Sequence, residues 1–348
     1  MFAIEPINGS KILVALADEE NISYCFRDFV PFADDAWWPI LGSKRTFDDE
    51  PKTFKAHPSQ QYVIPVSRTA VNTAVCGITV YRDYVYVIRE SSNILEVYAA
   101  NDLNMQKRTK ITIPPKYHEE REYYEPHPSD IASSDRQKCI YICDAMNSCI
   151  LRLEPLDNGE ANCKPWRVPG LPRGLSVNSN GFLIVSCFKD SVLCEYSPDG
   201  ILQRQVILDE RTICPYHAVQ IANDEWLVSY QTNVSEPDEK FGVCTVDQYG
   251  EIFDTFGESS SGDDGVADQL NAPLHLALDV NGWAIVADCN NNRIKLLSPN
   301  LESVRDVLNK SDLLNPAAIY IHAVSRRLFV GLKDGRVIVY SIGIGSRD

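Results

Sequence analysis

A chain of 348 residues, 44% hydrophobic and 23% charged, has the composition of a folded globular protein. Its 33 Lys and Arg against 48 Asp and Glu leave a net charge of −15. That field opposes binding to nucleic-acid phosphates and anionic membrane surfaces, and no apolar run approaches the ~20 residues needed to cross a bilayer.

In chain order, Met1–Glu5 lacks the basic start and unbroken apolar core of a secretory leader. A faint strand–turn–strand pattern follows at Ile12–Phe26. Residues 30–70 break it with Phe32, Phe47, the pair Trp37-Trp38 and the acidic Asp48-Asp49-Glu50. Two adjacent exposed tryptophans are costly without a partner, so Trp37 and Trp38 are expected to be buried, with a partner anchor as the other reading. Clear strand–turn–strand units then recur at Val85–Val97, Ile140–Leu153, Leu183–Tyr196, Leu227–Val246, Ala284–Leu297 and Leu328–Tyr340. Each is preceded by a strand opening with a small or polar residue, usually after a proline. These are Cys76-Gly77-Ile78, Ser129-Asp130-Ile131, Arg173-Gly174-Leu175, Tyr216-His217-Ala218, Leu274-His275-Leu276 and Ala317-Ala318-Ile319. The fullest unit, 270–297, has a tight turn at Asp279–Gly282 and an Asp/Asn-rich one at Asp288–Asn292. Asn-Gly supplies the positive φ that a short hairpin needs.

No helical period of 3.6 intervenes, so the chain reads as all-β. Several short strands per ~40–50 residues mark propeller blades, which escape the size limit of a single core by packing on one another. Six copies plus the faint one predict a β-propeller of four-stranded blades, six favoured and seven possible. Residues 1–74 are read as a ring-closing segment or incomplete blade and 75–345 as the blades, one domain overall.

Three segments interrupt the repeat, where loops carry specificity. The proline-bounded stretch 114–126 holds Tyr117, Tyr123 and Tyr124 with Glu119, Glu120, Glu122 and Glu125, a set able to recognise a basic peptide; a solvated excursion is the plainer reading. Residues 231–241 lengthen one hairpin, and 258–268 read as a flexible Ser/Gly/Asp linker. Eleven cysteines without a Cys-x-x-Cys pair argue against structural zinc and fit reduced thiols in a cytoplasmic protein. Cys143 with Cys149, and Cys187 with Cys194, flank hairpin turns. The sequons at Asn8, Asn21, Asn233 and Asn309 would matter only for a secreted protein whose leader lies outside this chain.

These units resemble NHL repeats, whose consensus runs roughly P-x-G-I-A-V-D, G-x-I-Y-V-A-D, N-x-R-I. The resemblance covers about 75–342 and is strongest at 270–297. It is similar to the propeller of tripartite-motif proteins and implies a non-catalytic scaffold that presents loops to a protein or peptide, without a cofactor. RNA binding, also known in that family, is set aside on charge, and no RING or B-box framework accompanies the propeller.

Aligning the strand openings places Gly77, Asp130, Gly174, His217, His275 and Ala318 at equivalent positions around the mouth of a central channel. Two histidines and an aspartate there form a candidate metal site, His217, His275 and Asp130, for one divalent ion such as zinc or calcium. Its plainer reading is a channel histidine bonded to a carbonyl or water. The distantly similar peptidyl-amidating lyases also use a third channel histidine, absent here, and a methionine that Met1, Met105 and Met146 do not supply. A metal-dependent lyase or hydrolase is therefore the alternative to the scaffold.

Overall fold

The computed structural model describes residues 2–6, 11–18, 21–28, 55–64, 73–111, 124–155, 161–208, 213–232, 239–260, 269–279, 281–302, 304–311 and 313–343. It divides into two compact units, 1–37 and 38–348. The first is an antiparallel meander of Phe2–Pro6, Lys11–Asp18 and Asn21–Asp28, with Ile4 opposite Val14 and Val14 opposite Cys25.

The second unit is a six-bladed propeller in which each blade is one four-stranded antiparallel sheet. The innermost strands of blades 1 to 6 are Val75–Tyr81, Pro128–Ser134, Pro172–Val177, Ile213–Ala222, Pro273–Leu278 and Pro316–His322. Each packs beside the next, and the last returns to the first. There is no seventh blade among the described residues. In blades 1 to 5 the four strands are consecutive in sequence; in blade 6 the outer place is taken by Lys55–Ile64, which runs antiparallel to Val337–Gly343 with Val339 opposite Tyr62. The ring is thus closed by hydrogen bonds between distant parts of the chain, with Lys55–Ile64 covering the edge that Val337–Gly343 would otherwise expose.

The core is six wedges between neighbouring blades. Blades 1 and 2 share Ile88, Ile131 and Leu151; blades 2 and 3 share Tyr141, Leu175 and Val185; blades 3 and 4 share Leu193, Trp226 and Val228. The wedges at 4/5 and 5/6 hold Leu227 with Leu276, and Ile294 with Val330. The sixth, where blade 6 meets blade 1, sets Val75 and Ile78 against Phe329 and Val339. Both faces of each sheet are thereby buried, which is why the middle strands Cys139–Asp144 and Leu183–Cys187 are buried at every position and largely apolar rather than alternating.

The 6/1 seam carries an added polar lock. Buried Arg89 of blade 1 donates from Nη1 to the Gly335 carbonyl of blade 6 at 2.6 Å and pairs through Nε and Nη2 with Glu96, at 2.9 Å each. The Tyr98 hydroxyl also donates to Glu96, at 2.9 Å. Turns follow the sequence reading. Asp279 Oδ1 accepts from the amides of Asn281 and Trp283, and Gly282 takes φ +82°. One reading changes: the strand Ile252–Ser260 reaches into the supposed linker, held where Glu258 accepts from Tyr230 and pairs with Lys240.

A chain starting at residue 54 keeps the closing strand, whereas one starting at 65 leaves Val337–Gly343 as an open edge. The shorter chain is expected to melt at least about 5 °C lower, as several kcal/mol lost from a domain of this size would require. Differential scanning calorimetry of the two truncations checks this, and equal midpoints would show that closure is not limiting.

Candidate functional site at the propeller axis

Every innermost strand opens with the same irregularity. The register slips by one residue against the second strand, leaving Cys76, Ser129, Arg173, Tyr216, Leu274 and Ala317 as the extra residues of six β-bulges. The next residue in each blade resumes pairing: Gly77 with Ile88, Asp130 with Cys143, Gly174 with Ser186, His217 with Ser229, His275 with Ala287 and Ala318 with Gly331. The six aligned sequence positions are therefore structurally equivalent. Bulges re-aim side chains, and here they create two stacked layers at the axis. The inner layer, Gly77 to Ala318, is buried throughout; the outer layer of bulge residues is partly exposed except for Tyr216.

In the inner layer, blades 1, 3 and 6 carry Gly or Ala while blades 2, 4 and 5 carry Asp130, His217 and His275. The small residues make room for the large ones. A Cβ on Gly174 would run into the Tyr216 carbonyl and come within 2.7 Å of His217 Cα and 3.0 Å of its ring. A Cβ on Gly77 would lie 2.9 Å from the Ile131 amide nitrogen and 3.1 Å from Asp130 Oδ1.

The sequence expectation that the three candidates converge agrees with the geometry, with one change. They sit inside the channel rather than at an open mouth, with Asp130 1%, His217 2% and His275 8% exposed. Asp130 reaches across the axis: Oδ2 lies 3.4 Å from His217 Nε2 and Oδ1 lies 3.4 Å from His275 Nε2. The two imidazoles stack with centroids 4.0 Å apart and planes 25° off parallel. One ligand atom from each of the three residues falls within 4.8 Å of the others, and no other such group occurs among the described residues.

Backbone groups fix the carboxylate. Asp130 Oδ1 accepts from its neighbour's amide at Ile131, and Oδ2 from the Leu175 amide of blade 3, both at 2.7 Å. His217 Nε2 also lies 3.3 Å from the Leu175 carbonyl. Burial, and then the stacked His275, hold the His217 pKa down at about 3, with Asp130 and the Leu175 carbonyl opposing only in part. His217 is thus a neutral imidazole at physiological pH and has a lone pair to offer. Nδ1 of both histidines is buried without a hydrogen-bond partner. Neither the carbonyl-bonded nor the carboxylate-bonded arrangement satisfies these rings fully, which is the usual mark of a missing water, ion or ligand.

The other sequence candidates are dispersed. Tyr124 is 62% exposed, its backbone clamped by Asn147, which accepts from the Tyr124 amide at 2.8 Å and donates to its carbonyl at 3.1 Å. Glu125 is tied to Lys110 at 2.8 Å and to Asn93 at 2.7 Å. Trp37, Trp38, Tyr117 and Tyr123 lie outside the described residues. The ten propeller cysteines, Cys76 to Cys289, are free thiols; Cys187 and Cys194 have sulfurs 3.9 Å apart, whereas Cys143 instead points toward the Gly174 carbonyl.

Sequence reasoning missed the bulge layer. Its residues vary in chemistry from blade to blade, and nothing in the repeat separates an unpaired residue from its paired neighbour. The only signal was its constant place directly after the proline in blades 2 to 6.

No family model matches the chain, and no curated protein matches it in sequence. Among solved structures it is similar to virginiamycin B lyase from Staphylococcus aureus, in a catalytically inactive histidine-to-alanine variant solved with quinupristin. The identity is 13%, covering 81% of this chain and 99% of that one, with a TM-score of 0.53. It is also similar to a streptogramin B lyase (11% identity, 81% and 98% covered, TM-score 0.54). A third is hydrazine synthase of Kuenenia stuttgartiensis (10% identity, 79% and 97% covered, TM-score 0.52). At these identities the likeness is one of fold: this chain is a six-bladed β-propeller.

Replacing Gly174 by Ala should destabilise the protein by about 1–3 kcal/mol, because the added methyl meets backbone that cannot swing aside. Guanidinium unfolding measures it; an unchanged midpoint would mean that blades 3 and 4 can separate at the axis without cost.

Proposed function

We propose that this chain is an NHL-type propeller whose axial cluster of Asp130, His217 and His275 binds one divalent metal ion, zinc before calcium, for a metal-assisted lyase or hydrolase reaction. The observation that carries the reading is the separation of each Nε2 from its carboxylate oxygen. At 3.4 Å, to Oδ2 for His217 and to Oδ1 for His275, each is near the edge, about 3.3 Å, of a tetrahedron with metal bonds of about 2.0–2.1 Å, and the three ligand atoms gather within 4.8 Å. Two imidazoles and one carboxylate suit zinc, whereas calcium wants six or more oxygens. Three protein ligands leave a fourth position for water or substrate, the arrangement of catalytic rather than structural zinc. A metal there would polarise a substrate oxygen or lower the pKa of a bound water. Two of the similar structures bear the name lyase, which supports a propeller fold as a frame for lyase chemistry.

The NHL assignment is supported by what the consensus residues do. In blade 5, Asp288 Oδ2 accepts from Arg293 Nε at 2.6 Å and Asn291 at 2.9 Å, and in blade 2 Asp144 accepts from Asn147 at 2.6 Å. These side chains brace the turn between the second and third strands, a reason for the repeat to keep them. The free thiols support a reducing, cytoplasmic setting.

A second reading, the non-catalytic scaffold binding a protein or basic peptide, is favoured by the exposed Tyr124 on its clamped backbone. Tyr124→Ala should leave stability within about 0.5 kcal/mol while weakening capture of a partner. Comparing its unfolding midpoint and its retention of partner with the parent protein checks both halves.

For the metal, equilibrium dialysis against zinc followed by elemental analysis should give one ion per chain, falling to none in the double variant His217→Ala/His275→Ala and weakened in Asp130→Asn. At a hundredfold excess over the dissociation constant, zinc should stabilise the parent by about 2.7 kcal/mol and the double variant by nothing. Equal zinc in parent and double variant, with no shift in melting, would end the assignment.

A further inference from the structure

The outer layer of bulge residues has a direction. Cys76 Sγ of blade 1 points to the Pro128 carbonyl of blade 2 at 3.3 Å, and Ser129 Oγ of blade 2 donates to the Pro172 carbonyl of blade 3 at 3.1 Å. In these two blades the bulge side chain leans on the next blade round the ring. In blade 3 the residue in that place is Arg173, and the neighbour it leans on is Tyr216, the bulge residue of blade 4. Its guanidinium carbon lies 4.6 Å from the Tyr216 ring centroid and 4.9 Å from that of Phe188. The two rings are themselves 5.4 Å apart and tilted by 42°. The Tyr216 hydroxyl is held in turn by the Gln231 side chain, so the aromatic support is anchored.

Arg173 is exposed and, among the described residues, has no carboxylate within ion-pair distance and no hydrogen-bond acceptor. The field of Glu90, across the ring on blade 1, reaches it without forming a pair. Aromatic faces hold a guanidinium in place and leave its edge donors unused, and that edge is the planar fork that matches a carboxylate. Beside it lies an apolar cluster in which Tyr216, Phe241, Ala272 and Cys289 are buried and only Phe188 and Leu274 are partly exposed. Arg173 precedes Gly174 and Tyr216 precedes His217, so this fork stands one residue outward of the buried axial triad.

We infer that Arg173 is an anion-recognition residue at the channel entrance, which binds small organic carboxylates carrying an apolar or aromatic body against Phe188 and Leu274. In a molecule of net charge −15 an anion is repelled unless a local cation receives it. The exposed, aromatic-backed guanidinium supplies that cation beside the only described metal-capable cluster. As a statement of substrate class the inference rests on the metal reading; carboxylate binding by Arg173 does not need the metal.

Calorimetric titration with 3-phenylpropionate and with its neutral amide, 3-phenylpropionamide, separates the two claims when run on zinc-loaded and on chelator-treated protein. The acid should bind the chelator-treated protein, the amide at least about tenfold more weakly, and Arg173→Gln should lose at least that factor for the acid alone. Arg173→Lys, which keeps the charge and loses the fork, should fall between. Equal binding of acid and amide, or acid binding unchanged in Arg173→Gln, overturns the assignment. So does acid binding that appears only with zinc, because the metal would then be the anion site. Carboxylate binding without zinc uptake would sink the metal reading and leave Arg173 standing. Melting curves of both variants confirm that any loss is not unfolding.

Discussion

The bulge at the opening of each innermost strand is the constraint on which the axis depends. A propeller brings six strands together at its centre, where regular pleats would set six equal side chains against one another. One extra residue per strand divides the crowd into two layers. The paired residues turn inward and are buried, and the unpaired ones of blades 1 to 3 lean along the ring onto the next blade. The inner layer then has space for three large side chains only because Gly77, Gly174 and Ala318 occupy the other blades. The close approach of Gly174 to the His217 backbone shows how little space remains.

This crowding shapes the electrostatics. Asp130 is deprived of bulk water, yet two backbone amides and two imidazole nitrogens surround its oxygens. Stacking the two rings at 4.0 Å makes a doubly cationic pair costly, and the depressed titration of His217 follows from burial and that neighbour together. A site built this way keeps His217 neutral without a metal present, so that ring offers a lone pair rather than a charge.

Much of the frame was legible in the sequence because it is written in repeats. Strand openings such as Pro273-Leu274-His275 and turns such as Asp279–Gly282 recur with fixed spacing, and counting from the proline placed His217, His275 and Asp130 at equivalent positions before any coordinates. The closing strand was not legible. Lys55–Ile64 carries a proline and three consecutive polar residues, Ser59-Gln60-Gln61, and an outermost strand has one neighbour and little apolar surface to announce it. The polar lock of Arg89 on Gly335 was equally hidden, since its partners lie 246 residues apart. The depth of the triad escaped for a related reason: a pattern gives position along a strand, not the height at which neighbouring strands close over it.

Arg173 shows what kind of information a repeat conceals. The alignment that singled out Gly174 treated its neighbour as filler, because its counterparts in the other blades are Cys, Ser, Tyr, Leu and Ala. Variation of that sort normally signals solvent. In this ring it has another cause: an unpaired bulge residue is free of the pairing that holds its neighbour, so its chemistry can be set blade by blade without cost to the fold. The inner layer is constrained by volume and the outer one is not. A propeller can therefore hold a nearly invariant buried centre and still vary what its entrance recognises. The aromatic backing of Arg173 by residues of blades 3 and 4 is what such a variable position looks like once the chain has given it a use.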